Sequence, residues 1–100
     1  MSFPTEPTGY EKTILSDLQG AWHVLRDSVV ESGGFDGCER ALFHIDEAMS
    51  WETVRNLNLM PSLVLMIRNI CAQGNAPEEV IENIEEVDRL VKKILKDFPV

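Results

Sequence analysis

Apolar side chains recur along this chain at steps of three and four, the period that writes one face of an α-helix. Ile14, Leu18, Ala21, Leu25 and Val29 form the first such stripe, widened by Leu15 and Trp22. Gln19, His23, Arg26 and Asp27 fall off it. Ahead of the stripe, Thr8-Gly-Tyr-Glu11 fits a capping box, in which a hydroxyl and a carboxylate satisfy the free N–H groups of a helix start. Behind it, Gly33-Gly34 predicts the stop, because glycine enters the left-handed conformation at little steric cost.

A second helix is predicted from Asp36, a cap residue with an acid, Glu39, three positions on. Its stripe is Cys38, Ala41 or Leu42, Ile45, and Ala48 or Met49, with Arg40, His44 and Glu47 on the other side. Ser50 can recap the chain, so residues 51–59 read either as a short helix or as a bent continuation of the second. Pro61 suits a first helical turn and predicts a third long element over 61–73. There Leu63, Val64, Leu65, Met66, Ile67, Ile70 and Cys71 are apolar on nearly every side. Such a helix belongs in the centre of a bundle or beneath a partner. A buried strand over 63–67 would find no second strand pattern to pair with.

Gly74-Asn75 closes that helix, and Asn75-Ala-Pro-Glu78 predicts the next start with Asn75 as its cap. In the last helix Val80, Ile84, Val87, Val91, Ile94 and Phe98 alternate steps of four and three, flanked by Ile81, Leu90 and Leu95. This heptad-like seam suits near-antiparallel bundle packing, and Pro99 ends it. The predicted fold class is therefore all-α: a compact antiparallel four-helix bundle, with a fifth short helix near 51–59 as an option. Residues 1–8 read as a flexible N-terminal tail and 9–100 as one helical domain, a size that supports one modest core.

Charge narrows the function classes. The chain of 100 residues has a formal net charge of -8. Nucleic-acid binding and attraction to anionic membranes both need cationic surface, so neither is expected. Along the last helix, acids Glu78, Glu79, Glu82, Glu85, Glu86 and Asp88 precede bases Arg89, Lys92, Lys93 and Lys96. That order complements the helix dipole, and Glu85–Arg89 and Asp88–Lys92 have pairing distance in sequence. The apolar run 57–67 is broken by Asn58, Pro61 and Ser62, and the start lacks a basic, then apolar, leader. A cytoplasmic location is expected, with Cys38 and Cys71 as buried thiols rather than a disulfide.

Motifs for chemistry are sparse. No Gly-rich phosphate loop, Cys-x-x-Cys, paired-histidine zinc spacing or nucleophile elbow occurs, so no cofactor, metal or catalytic residue is assigned. Histidine phosphotransfer modules are also small acidic helical bundles, and they carry a solvent-facing His followed three residues later by Lys and then Gly. Here Arg26 and Asp27 stand at those positions after His23, and Glu47 follows His44. Arg26, Arg40, Arg55, Arg68 and Arg89 could instead meet at a pocket for an anionic substrate. These phosphotransfer-like and enzymatic readings are the alternatives. The apolar surplus of Trp22, Phe35, Trp51, Leu57, Leu59, Met60, Leu65 and Met66 says more, because large flexible groups mark interfaces. The expected function is a protein–protein interaction module of adaptor, inhibitor or assembly-chaperone type. It would form a homodimer or dock a protein partner through Trp51, Val54, Leu57, Leu59, Met60, Leu65 and Met66.

Overall fold

The computed structural model describes residues 9–50 and 57–97, with side chains described from Ile14 onward. Four α-helices build it: α1 Gly9–Ser32, α2 Cys38–Ala48, α3 Met60–Gln73 and α4 Glu78–Asp97. A 3-10 turn, Leu57–Leu59, leads into α3. The architecture is the antiparallel helical bundle that the apolar periods predict. The N-terminal tail, the Thr8 half of the capping box, Phe98, Pro99 and the 51–56 part of the proposed fifth helix lie outside the described residues.

One core joins all four helices. From α1 come Ile14, Leu18, Trp22, Leu25 and Val29, each at most 3% exposed, as the period demands. Ala41, Ile45 and Ala48 supply α2, and Val80, Ile84, Val87, Leu90, Val91 and Ile94 supply α4. Met60, Leu63, Val64, Ile67, Ile70 and Cys71 are the inward side of α3. Burial of some twenty apolar side chains is the main stabilising term. Among the described residues Ser28 is the buried polar exception, and its hydroxyl donates to the Leu25 carbonyl at 2.8 Å.

Two junctions differ from the sequence reading. The cap of α2 is Gly37, not Asp36: it sits at φ 86° and makes no side-chain cap bond. A Cβ there would also lie 2.8 Å from Cγ2 of Ile70, so both backbone and packing require glycine. Contact with α3 therefore displaces the helix start by one residue. Asn75 is likewise not the cap of α4. It has φ 56° and lies one position beyond the α3 cap Gly74. The Ala76 N–H donates to the Cys71 carbonyl at 3.0 Å, and the Asn75 N–H to the Ala72 carbonyl at 3.4 Å. Those two bonds make a Schellman motif that closes α3, with Asn in the place usually held by glycine.

Gly74 has a different duty. Its backbone is near-helical, with φ -87° and ψ 2°, which any residue could adopt. A Cβ on it would fall 1.8 Å from the carbonyl oxygen of Asp36. The α1–α2 loop and the end of α3 thus touch backbone to backbone.

Candidate functional site

α3 has one fully apolar side and one mixed side. Met60, Leu63, Val64, Ile67, Ile70 and Cys71 face the core. Ser62, Leu65, Met66 and Asn69 are exposed on the side away from the core, and Leu59 is exposed in the turn that precedes α3. Of these, Leu59 is 55% exposed, Leu65 58% and Met66 42%. The polar residues Ser62, Arg68, Asn69 and Gln73 are exposed on the same helix. α3 is also the one helix of the four without Asp or Glu, its single charge being Arg68. The strongly acidic chain therefore leaves one outward face free of its own helix's carboxylates.

The residues expected at an interface divide accordingly. Leu65 and Met66 are exposed on α3, and Leu59 is exposed in the turn before it. Leu57 is half-buried against the core, and Met60 is wholly enclosed, so it supports the face from beneath. Trp51 and Val54 lie outside the described residues. From the wider apolar surplus, Trp22 is core and Phe35 packs against it. Val24, Val30 and Phe43 are exposed apolar residues that the sequence reading did not single out. They are scattered over α1 and α2, where isolated exposed apolar groups are ordinary.

Among the described residues, three of the cavities that flank the bundle bear on the site. The first, about 260 Å³, is lined by Leu15, Leu18, Gln19, Trp22 and His23 of α1 with Met49, Leu57 and Met60. The second lies between α1 and α4, where Asp17, Gly20, Val24, Asn83, Glu86 and Arg89 meet. The third runs along α3 and α4, between Pro61, Leu65 and Arg68 on one side and Asp88 and Lys92 on the other. None of the three holds more than one arginine. Arg26 instead ties α1 to α2 by donating from Nε to Asp46 at 2.8 Å, which holds its guanidinium above the usual pKa. Arg55 lies outside the described residues.

Arg89 is paired, but with Glu86 rather than Glu85. Its Nε and a terminal nitrogen donate to the two carboxylate oxygens at 2.9 and 2.7 Å. Asp17 of α1 adds a weaker attraction, and Asp17, Glu86 and Arg89 line the same groove. The hydrogen bonds from Arg89 hold the Glu86 carboxyl below its ordinary pKa. Asp88 and Lys92 pair at 2.8 Å, as their spacing predicts.

The histidines stand apart. His23 is exposed at the edge of the first cavity. His44 lies on α2, partly covered, with Nδ1 3.0 Å from Glu47 and the Phe43 ring edge-on to it. Among the described residues no three His, Cys, Asp or Glu side chains gather as a metal site. Cys38 and Cys71 are free thiols, and burial with the neighbouring Cys38 pushes the Cys71 thiol up to about 11. No described helix is long and apolar enough to cross a membrane. No protein-family model, curated protein or solved structure matches this chain.

Proposed function

We propose that the protein is an interaction module that pairs with a second copy of itself through the outward face of α3. The observation that carries this reading is the pair Leu65 and Met66 on the outward side of α3, with Leu59 of the preceding turn likewise open to solvent. Charge favours a second copy at this face over any other. Two chains of net charge -8 repel, and the repulsion is least where neither presents a carboxylate from the docking helix. A two-fold arrangement would set α3 against α3, so each Leu65 and Met66 covers its counterpart. One helix face is a small interface, which implies a dissociation constant of about micromolar rather than nanomolar.

Sedimentation velocity over a concentration series tests this. The wild-type chain is expected to move from monomer toward dimer as concentration rises through about 10–100 μM. Leu65→Glu combined with Met66→Glu should keep it monomeric, because four carboxylates would meet across the axis. Both side chains are exposed, so the variant's stability at dilution should change by no more than about 0.5 kcal/mol. A wild-type chain monomeric throughout, or a variant that still dimerises, overturns the proposal.

A further inference from the structure

Cys38 opens α2 and Cys71 lies in the last turn of α3, and the chain has no other cysteine. The α1–α2 loop rests on that end of α3. A Cβ on Gly37 would come 2.8 Å from Cγ2 of Ile70 and 3.8 Å from the Ile70 carbonyl oxygen, and one on Gly74 would strike the Asp36 backbone. Cys38 follows Gly37 and Cys71 follows Ile70, so each cysteine flanks the first of these contacts. The Cys38 thiol turns inward and donates to the Val29 carbonyl of α1 at 3.8 Å. Val29 and Cys71 belong to one core, against which Cys38 packs. Burial raises the Cys71 thiol, and the nearby Cys38 sulfur adds to the rise. A disulfide needs Cα atoms about 5–6 Å apart, a spacing that segments packed side by side provide.

We propose that Cys38 is a modification site for peroxides, and that Cys71 resolves the product into a Cys38–Cys71 disulfide within one chain. The two thiols divide the work by exposure. Cys38 is half-buried, so a small oxidant reaches it, whereas Cys71 is enclosed and meets only its neighbours. The Cys38 sulfur attacks one peroxide oxygen, the O–O bond breaks and water leaves, which gives a sulfenic acid. The Cys71 sulfur then attacks Sγ of Cys38. The S–O bond breaks, and the departing hydroxyl takes the Cys71 proton and leaves as a second water. Two thiols give up two electrons and one hydrogen peroxide takes them. An enclosed thiol is a poor first target, so Cys71 serves as the resolving group once the oxidised sulfur is held beside it. The new bond fastens the start of α2 to the last turn of α3.

Hydrogen peroxide on the full chain at about 1 μM, dilute enough to keep copies apart, tests this when followed by an alkylating quench and intact-mass measurement. The expected product is a single chain, lighter by two hydrogen atoms and carrying no alkyl group. Its tryptic digest should join the peptide 27–40 to the peptide 69–89. Cys71→Ala should stop at the sulfenic acid, which dimedone traps. Cys38→Ser should slow loss of the Cys71 thiol by about tenfold or more, because the oxidant no longer has a route inward. The oxidised parent should melt about 10 °C above the reduced one, since a bond that fits the native fold constrains only the unfolded chain. The proposal is overturned if peroxide carries Cys38 of the parent to sulfinic acid as readily as it does in Cys71→Ala, or if the disulfide joins two chains. It is equally overturned if the oxidised form melts below the reduced one, which would mean that the sulfurs do not meet in the native fold. Should Cys71→Ala fail to fold, Cys38→Ser still decides: loss of the Cys71 thiol at the parent's rate refutes the assigned order. None of these readouts depends on dimerisation.

Discussion

Gly74→Ala and Gly20→Ala make the same chemical change in near-helical backbone and should have opposite signs. At Gly20, inside α1, nothing lies within 4 Å of the added Cβ, so alanine should stabilise by about 0.5–1 kcal/mol through helix propensity and the unfolded chain. Gly74 also has a backbone that alanine adopts freely, and that same gain applies. Against it stands the carbonyl of Asp36, with oxygen 1.8 Å, carbon 2.8 Å and Cα 3.3 Å from the Cβ. The loop must retreat by more than 1 Å before even 3.0 Å is restored. Nothing flexible is available to yield, because the obstructing atoms are main chain. That retreat would pull Gly37 from Ile70 and loosen Phe35 on the core. Overpacking costs about 1–3 kcal/mol and sits at the upper end when backbone must move, so the net is about 2–3 kcal/mol destabilising. For a chain of this size that lowers Tm by roughly 10–20 °C. Urea and thermal melts followed by dichroism measure both variants. If Gly74→Ala melts at or above the parent, as Gly20→Ala should, the loop does not lie against α3 as described.

Other consequences are smaller or confined to pH. Burial raises the Cys71 thiol from its ordinary 9.0 to about 11, so the folded state favours the protonated form. Its contribution is intact below pH 9 and lost as pH climbs through 11, on the order of 3 kcal/mol. Cys71→Val should therefore flatten the fall in urea-melt stability across that window, and an unchanged slope would refute the assignment. Alkylation of the native protein followed by peptide mass mapping should label half-buried Cys38 well before Cys71; equal labelling would show that Cys71 is not enclosed. Glu86 has a lowered folded pKa, so its pairing stabilises above the ordinary carboxylate range and fades as pH falls through the depressed value. Glu86→Gln should lower Tm by at most about 2 °C at neutral pH and by nothing in strong acid or high salt, because the pair is exposed. A deficit that persists in acid would mean Glu86 acts by something other than charge.

The helices were legible because burial repeats with the helical period. Ile14 to Val29 and Val80 to Ile94 are buried at the positions their steps of three and four select. Junctions were harder, for a specific reason. Asn serves equally as a helix cap and as a left-handed residue after a helix, so Asn75 has two local readings. Its role follows from the bonds of Asn75 and Ala76 to α3, made where Gly74 meets Asp36, a contact between segments 38 residues apart. Gly37 over Asp36 is decided by Ile70 in the same way. Arg89 pairs with Glu86, three positions back, rather than with Glu85, and it meets Asp17 of α1 in the same groove, a neighbour that no spacing within α4 reveals. For the candidate face, the surplus around α3 was visible as a helix apolar all round. Which half turns inward depends on the neighbours: Met60 went in, and Leu65 and Met66 stayed out.

The pairing of two α3 faces is tested most directly by isotope-filtered NMR on an equal mixture of methyl-labelled and unlabelled chains, at a concentration where the complex is populated. Only contacts between copies survive the filter. Cross-peaks from the methyl groups of Leu59, Leu65 and Met66 to the unlabelled copy are the predicted result. Their absence, or intermolecular peaks confined to Val24 and Val30 of α1, would contradict it.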